Sequence, residues 1–546
     1  MDAPSDAPPA PPAAPSSPWR AGAAVLAVGV LGVVALAWAT GRHLWFYSDD
    51  WNILTGYHDG RLLEPFNGHL SLLPVLVFRG VAEVFGLGSY GPFRVAGLLV
   101  YLLLGVTVFV YSRRRVGQVG AALVALLVLL NASSVTNVAF PFLLNFSLPL
   151  AAMVWMWWFL DRTDLRDEVA ASASLGVALA SSGIGLLAMA AAGVELLWTR
   201  ARLRRWLVLA PPVLLYVAWY AGFHAPVAKG KGGAGAVLRY ACEMVLGGAA
   251  SLVGNWKPGG ALVLAGFVVL LVLGATRWHT FDGRVAGGLA AVATFALLTA
   301  WTRIGIFPKI PPDEARYCWT VGAVLLLTSV QLLRGVTVPR PWTYVAGGAL
   351  AAALVLNTWV LGHRLTEWDH QVRDATAGVR TNLFTVEALG AAVPRDEVLP
   401  LSFIAVTAGD YLDMVDQLGS PVASFDPATG TGGSLGSADL RDRADELVVR
   451  AGGAALGPAP MTCVRAAVYP PPEPVQRLVV PRGPSQVLVC GFESGTDVRV
   501  ARFGGGQVVG RVGPGATSVL DLPEDDLGRP WTVLVEGDAS LSVLPG

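Results

Sequence analysis

The sequence predicts an α-helical polytopic membrane domain followed by a soluble extracytoplasmic domain that changes from mixed α/β to a β-sandwich. Of 546 residues, 54% are hydrophobic and only 14% are charged, whereas about a quarter are charged in soluble domains. Residues 1–361 carry 25 Lys and Arg against 16 Asp and Glu, and residues 362–546 carry 14 against 23. The apolar, basic part is therefore the membrane domain. The acidic tail argues against a nucleic-acid partner.

The chain divides into three predicted regions. Residues 1–20 are rich in Pro and Ala and should be disordered, residues 21–361 form the membrane domain, and residues 362–546 form the soluble domain, β-rich from about residue 460. Apolar runs close to the roughly 20 residues needed for a span predict eleven transmembrane helices. The predicted spans are 21–39, 93–111, 119–131, 144–160, 169–180, 184–198, 206–222, 260–275, 285–301, 317–333 and 343–361.

Arginine clusters set the predicted orientation. The runs at 113–115 and 200–205 fall on the same side as later arginines, which the positive-inside rule assigns to the cytoplasm. The first loop (40–90) and the tail then lie outside. This scheme requires 69–86 to lie along the outer surface, and it makes 234–252 a surface helix. The Ala-, Arg- and Gly-rich composition is typical of a high-GC bacterium, so the predicted location is a bacterial cytoplasmic membrane.

The adjacent carboxylates Asp49 and Asp50 follow the first span directly, within the sequence Phe-Tyr-Ser-Asp-Asp-Trp-Asn. Charge at a bilayer edge is costly unless it meets water, a partner or a substrate. The pair therefore predicts a site at the membrane surface that handles a proton or a cation. The alternative is a solvated acidic cap on a helix.

Further polar residues occupy the predicted outer loops. Glu64, Asn67 and His69 lie in the first loop and are candidate substrate-binding residues, although His69 could instead be structural. Carboxylates and cations on one membrane face suit transfer to a hydroxyl from a phosphate leaving group. The alternative for the cations is contact with phospholipid headgroups or anchoring at the interface. The candidate phosphate-binding residues are Lys229, Lys231, Lys257, Lys309 and Arg316, with Tyr317 beside them.

These motifs resemble the GT-C superfamily of membrane glycosyltransferases, which includes protein O-mannosyltransferases, lipid A aminoarabinose transferases and actinobacterial arabinosyltransferases. Asp49 and Asp50 match the acidic pair in the family's first outer loop. The segment from Asn67 to Pro74 is similar to its His-Pro-Pro-Leu helix, although the tandem prolines are absent. Arg316 and Tyr317 resemble the Arg-Tyr pair of a late helix.

The resemblance implies an inverting transfer from a polyprenyl-phosphate sugar to a hydroxyl of an envelope glycan, lipid or protein, in cell-wall biogenesis. It makes Asp49 the favoured general base, with Asp50 assisting or both holding a divalent cation such as Mg or Mn. His69 would orient acceptor or phosphate, and the cations would hold the donor phosphate. A non-catalytic polyprenyl-lipid or glycan transporter is the main alternative. An envelope sensor whose tail binds glycan is a third.

The four cysteines show no metal-binding spacing. Cys463 and Cys490 both lie in the tail. If the tail is outside the cytoplasm, a disulfide between these two residues is expected.

Overall fold

The computed structural model describes residues 18–56, 61–223, 232–305, 310–337, 339–401, 404–425, 437–459, 475–480, 485–492, 495–523, 529–537 and 539–544. These residues divide into two compact units. The first unit contains residues 1–40, 65–73 and 97–365, and the second contains residues 41–64, 74–96 and 366–546. The predicted disordered segment lies largely outside the described residues.

Helices dominate the first 390 residues. They are α1 (Pro18–Thr40), α2 (Asp49–Gly56), α3 (Leu72–Phe85), α4 (Gly91–Leu129), α5 (Val135–Ala139), α6 (Leu144–Leu160), α7 (Leu165–Leu179), α8 (Gly185–Trp198), α9 (Ala210–Gly222), α10 (Ala234–Ser251), α11 (Lys257–Leu273), α12 (Gly283–Arg303), α13 (Ala315–Leu332) and α14 (Arg340–Leu389). Helices α7 and α8 confirm the predicted break between residues 180 and 185.

Six helical segments among the described residues are long and apolar enough to cross a membrane. Large apolar side chains on them face outward, such as Leu31 on α1, Val269 on α11 and Trp359 on α14, which is 70% exposed. A soluble protein would bury such surfaces, whereas lipid accepts them. The fold is therefore that of a membrane protein, and the count of eleven crossings stays a prediction. The qualifying segments are Ala21–Thr40, Gly91–Leu129, Pro141–Leu160, Lys257–Trp278, Gly283–Arg303 and Arg340–Leu389.

Helix α4 consists of two helices that meet at a kink at Gly117, with φ of +75°, so the predicted spans at 93–111 and 119–131 remain separate helices. Helix α10 has nearly the bounds predicted for the surface helix at 234–252, and its C-terminal half packs against α13 and buries Met244. Small residues at 247–250 allow this close approach. Helix α14 runs without a break past the predicted domain boundary at residue 361.

A buried ion network joins several helices of the first unit. Arg284 of α12 donates two hydrogen bonds to Glu195 of α8, at 2.6 and 2.7 Å. Asp161, which follows α6, lies 3.2 Å from Arg284 and 2.8 Å from Arg115 of α4. Arg115 also donates to Gln331 of α13 at 2.6 Å. Because each charge has an opposite partner, the desolvation of these groups is compensated.

The tail contains two four-stranded antiparallel sheets in the orders β10-β5-β8-β3 and β4-β9-β6-β7, after a short β1-β2 hairpin. The five strands predicted from residue 476 onward are present as β4, β5, β6, β7 and β9. Burial alternates along β6 and β9, as expected for strands with one face in a core. The two sheets that a β-sandwich requires are therefore present. The elements are β1 (Val398–Leu401), β2 (Ile404–Thr407), α15 (Ala408–Leu418), α16 (Ser437–Gly452), β3 (Ala455–Pro458), β4 (Val475–Val480), β5 (Ser485–Gly491), β6 (Thr496–Ala501), β7 (Gln507–Val512), β8 (Thr517–Leu522), β9 (Trp531–Glu536) and β10 (Ala539–Leu544).

The glycine-rich loop at 504–506 is a turn, as predicted, and it surrounds a carboxylate of the protein itself. Asp445 of α16 is buried and accepts hydrogen bonds from the backbone N–H groups of Arg502, Phe503, Gly505 and Gly506, at 2.6 to 3.1 Å. A Cβ at Gly505 would lie 1.9 Å from Oδ1 of Asp442, so only glycine fits there. The loop therefore anchors α16 to the sheet.

Candidate functional site

Asp50 is buried at the start of α2, whereas Asp49 is partly exposed. The backbone N–H of Tyr47 donates to Oδ2 of Asp50 at 3.0 Å, as in the acidic half of a capping box. The hydroxyl of Tyr90 donates to the same oxygen at 2.8 Å. Asp50 is therefore not the solvated cap of the alternative interpretation.

Aromatic side chains enclose this carboxyl group. Phe46 and Trp51 are fully buried, and the ring of Phe46 lies 4.8 Å from that of Tyr90 and 5.1 Å from that of Phe93. Burial raises the pKa of Asp50 from the usual 3.8 to about 7, and the charge of Asp49 adds to this. The hydrogen bonds from Tyr47 and Tyr90 act in the opposite direction. Asp50 can thus exchange a proton near neutral pH.

Sequence reasoning missed several polar residues of the second unit that lie near this group. Burial raises the pKa of Tyr90 well above 10. The charge of Asp50 adds to this increase, and the charge of Arg94 opposes it. His43 Nδ1 lies 2.7 Å from Asp369, and its backbone N–H donates to the same carboxylate at 3.0 Å. Asp369 is 326 residues away in sequence, so only the fold could reveal this pair.

In the structure, the segment from Glu64 to His69 contains a tight hairpin turn. Phe66 and His69 exchange two backbone hydrogen bonds of 2.9 Å. Asn67 and Gly68 have φ of +50° and +79°, which an Asn-Gly turn accommodates best. Asn67 thus has a backbone role as well as its predicted binding role. Glu64 is exposed and lies 3.9 Å from Arg61.

His69 packs against the turn between α7 and α8. A Cβ on Gly183 would lie 2.6 Å from Nδ1 of His69, so the imidazole packs directly on the backbone between α7 and α8. Burial, with the positive charge of Arg303, lowers the pKa of His69 to about 4. The ring is therefore neutral at physiological pH and acts as a hydrogen-bonding group.

Arg316 and Tyr317 begin α13 within the first unit. Tyr317 is only 4% exposed and stacks on Phe146 at 6.4 Å, so it is a core residue and not an interfacial anchor. The Nε of Arg316 is buried without a hydrogen-bond partner, and Glu314 is 3.6 Å away. The Nε of Arg316 is thus ion-paired with Glu314 but makes no hydrogen bond. The hydroxyl of Tyr240 donates to backbone carbonyls at residues 310 and 311, which follow Lys309.

Of the four lysines predicted to bind phosphate, only Lys257 lies within the described residues. Lys257 is exposed and lies 3.1 Å from Asp313. Lys229, Lys231 and Lys309 lie outside the described residues.

Within the described part of the chain, no group of three or more His, Cys, Asp or Glu residues is arranged to hold a metal ion. Asp49 and Asp50, each bound through one oxygen, would supply two of the six ligands of an octahedral Mg ion, and water or a substrate phosphate would have to supply the others. Both hydrogen bonds to Asp50 already end on one of its oxygens. The pair is an incomplete ligand set, so no reaction step is assigned to a metal.

Cys490 is disulfide-bonded, and Cys242 and Cys318 are free thiols. The predicted partner Cys463 falls outside the described residues, and the pairing itself stays a prediction.

No protein-family model matches the chain, and no curated protein matches it. Two solved structures of ArnT from Cupriavidus metallidurans are similar. The apo form has a TM-score of 0.47 and 16% identity over 72% of this chain and 85% of ArnT. The form bound to undecaprenyl phosphate has a TM-score of 0.47 and 15% identity, over 71% and 84% of the respective chains.

The archaeal oligosaccharyltransferase AglB from Archaeoglobus fulgidus, in complex with an inhibitory peptide and a dolichol-phosphate, is also similar. Its TM-score is 0.40 at 14% identity, over 63% of this chain and 56% of AglB. ArnT and AglB are both GT-C glycosyltransferases, the superfamily that the sequence motifs resemble. At TM-scores below 0.5, these similarities do not by themselves establish a shared activity.

Proposed function

We propose that this protein is a membrane glycosyltransferase that transfers a sugar from a polyprenyl-phosphate donor to a hydroxyl of a cell-envelope acceptor on the outer face of the membrane. The observation that supports this best is Asp50, a buried carboxyl group with a pKa of about 7, just beyond the first membrane helix. A general base works best when its pKa lies near the working pH. Strongly perturbed pKa values cluster at functional sites.

In the proposed reaction, Asp50 accepts the proton of the acceptor hydroxyl through Oδ1, because Oδ2 is occupied by Tyr47 and Tyr90. The hydroxyl oxygen attacks the anomeric carbon of the sugar. The bond from that carbon to the phosphate oxygen breaks, and its electron pair leaves with the polyprenyl phosphate. Attack opposite the leaving group inverts the anomeric configuration. Asp49 adds negative charge beside Asp50 and so strengthens it as a base.

Arg316 is the described residue best suited to the donor phosphate. Its buried Nε, which pairs with Glu314 at 3.6 Å without a hydrogen bond, would gain a charge-assisted hydrogen bond when phosphate arrives. Arg303, which sequence reasoning did not select, carries charge beside His69 and Tyr240 in the same unit. These cations would stabilise the negative charge that the phosphate gains as the bond breaks.

The function is tested with the purified protein in liposomes and a panel of polyprenyl-phosphate pentoses and hexoses. We expect one donor to transfer its sugar to an envelope hydroxyl acceptor and to release polyprenyl phosphate. Movement of intact lipid-linked sugar across the bilayer without release would instead support a transporter and overturn the proposal.

Tyr90→Phe is expected to shift the pH dependence of transfer. The hydrogen bond from Tyr90 stabilises the ionised form of Asp50. Its loss should raise the pKa of Asp50 above about 7, so the half-maximal rate should move to higher pH. The maximal rate at high pH should change less. The measurement is the single-turnover rate between pH 5 and 9. An unchanged midpoint of the pH–rate curve would show that Tyr90 does not affect the ionisation of the catalytic base.

Arg316→Ala is expected to weaken binding of a polyprenyl-phosphate donor by roughly ten- to a hundred-fold, because one charge-assisted contact contributes about 1.5–3 kcal/mol. Combining it with Lys309→Ala should weaken binding further. Arg277→Ala is the matched control, since Arg277 is exposed and on the predicted cytoplasmic side. Donor affinity is measured by lipid displacement. Unchanged affinity in the double variant would return both residues to a membrane-anchoring role.

A further inference from the structure

We propose that the N-terminal end of α6 and the turn at residues 181–184 form a hydrogen-bonding subsite for a polyhydroxyl sugar ring, with Asn145 and His69 as its polar contacts. This inference deepens the proposed function, since it rests on that function for taking the sugar to belong to the donor or the acceptor. All of its residues lie in the first compact unit.

The first evidence is an unpartnered amide group. Asn145 is 8% exposed, and its Oδ1 is buried without any hydrogen-bond partner. On the neighbouring helix α5, Asn137 is 4% exposed and both atoms of its amide lack partners. Buried polar groups without partners destabilise a fold and are rare. A bound ligand that provides the missing hydrogen bonds would explain these two amides.

Other buried amides of the same unit behave differently. Asn131 donates to Ser251 at 3.1 Å and accepts from the backbone N–H of Ser133 at 2.8 Å. Asn357 accepts from the N–H of Ala132 at 2.7 Å. The fold can therefore satisfy buried amides. Among the described residues, Asn255 and Gln118 each leave one buried amide atom without a partner, whereas Asn137 leaves both and Asn145 lies on the adjacent helix.

The second evidence is the placement of His69. The hydroxyl of Ser182 donates to the backbone carbonyl of Asn145 at 2.7 Å, and the next residue, Gly183, supports the imidazole of His69. The turn thus brings the neutral ring and the amide of Asn145 to the same region. A neutral imidazole both donates and accepts, as sugar hydroxyls require of their partners.

Aromatic rings flank these polar groups. Phe146, next to Asn145, stacks on Tyr317, and Phe142 lies 4.7 Å from Phe66, which pairs with His69 in the hairpin. A sugar ring presents hydroxyls at its edge and C–H groups on its faces. Amide, imidazole and aromatic groups together match that surface.

The subsite can be tested without the transfer reaction. The probes are ethyl glycosides of common hexoses and pentoses at millimolar concentration, with the full-length protein in nanodiscs. We expect at least one glycoside to raise the melting temperature of the wild type. Asn145→Leu should weaken its binding by about tenfold, the effect of one lost hydrogen bond with its unpaired partner. Asn145→Ala replaces it if the leucine variant does not fold.

Two further comparisons make the result specific. Asn131→Leu, which removes a satisfied amide, should lower the melting temperature but leave glycoside affinity unchanged. A deoxy glycoside that lacks the hydroxyl recognised by Asn145 should bind about tenfold more weakly to the wild type and no more weakly to Asn145→Leu. No stabilisation by any glycoside, or equal affinity for wild type and Asn145→Leu, would overturn the subsite. The amides of Asn145 and Asn137 would then be hydrogen-bonded to buried water.

The same assay separates this inference from the proposed function. Asp50→Asn should retain glycoside binding even though it loses transfer. If no donor is turned over but Asn145-dependent glycoside binding is found, the subsite stands and the glycosyltransferase proposal fails. Polyprenyl phosphate without sugar should bind equally to wild type and Asn145→Leu. Weaker binding of that probe would assign Asn145 to the phosphate instead and overturn the inference.

Discussion

Asp50→Asn is expected to lower the rate of sugar transfer by about a hundred- to ten-thousand-fold, the usual contribution of a general base. Asparagine has the same shape and can accept the hydrogen bonds from Tyr47 and Tyr90, but it cannot take a proton. Donor affinity should therefore be retained. The measurement is single-turnover transfer in liposomes at saturating donor.

The same substitution is expected to stabilise the protein at neutral and alkaline pH. The unfolded chain releases the Asp50 proton near pH 3.8, whereas the folded protein keeps it up to about pH 7. Between these values the folded state binds more protons, so stability falls as pH rises through this window. The shift corresponds to at most about 4 kcal/mol at pH 8, at roughly 1.4 kcal/mol for each pH unit. Asparagine avoids this loss.

Asp49→Asn is the matched comparison. The family resemblance favours Asp49 as the base, whereas burial and pKa favour Asp50. We expect Asp49→Asn to reduce transfer less than Asp50→Asn and to keep the pH dependence of the melting temperature nearly as in the wild type, because Asp50 is still present. A larger loss of transfer for Asp49→Asn would restore the assignment made from sequence.

Arg284→Met is expected to destabilise the first unit by up to about 3 kcal/mol, because it leaves the partly buried carboxylate of Glu195 without its cation, whereas Asp161 keeps its ion pair with Arg115. Arg284 is 6% exposed and makes its two shortest contacts to Glu195. The measurement is the melting temperature and the half-life at 37 °C in detergent.

The double variant Arg284→Met with Glu195→Leu controls for this effect. Removing both charges should recover much of the lost stability, since an apolar pair of similar volume avoids the buried charge. If the single variant is as stable as the wild type, the network is not holding these helices together. If the double variant is no better than the single one, packing rather than charge explains the loss.

The sequence predicted the helices and strands well wherever local pattern determines them. The break at residues 181–185 follows from its Ser and Gly residues, and the strands at 476–535 follow from β-branched runs between turns. The end of α14 did not follow from hydropathy, because the helix continues past its apolar stretch at residue 361 into a polar part. The burial of Met244 on α10 depends on packing with other helices of the first unit, which local sequence does not reveal.

Within the candidate site, the sequence identified Asp50 and His69 but not their surroundings. Tyr90 lies 40 residues from Asp50, and Gly183 lies over 100 residues from His69, so no local pattern connects them. Burial, which distinguishes Asp50 from Asp49, depends on aromatic residues brought together by folding. The one available signal was the density of aromatic residues around the acidic pair, at Trp45, Phe46, Tyr47 and Trp51.

The pH dependence of single-turnover transfer by the wild type tests the central claim most directly. If Asp50 is the base, the rate should rise with a single ionisation near pH 7 and remain constant above it, and the small residual rate of Asp50→Asn should lack this ionisation. A rate that is independent of pH between 5 and 9, or an ionisation near pH 7 that persists in Asp50→Asn, would contradict the account.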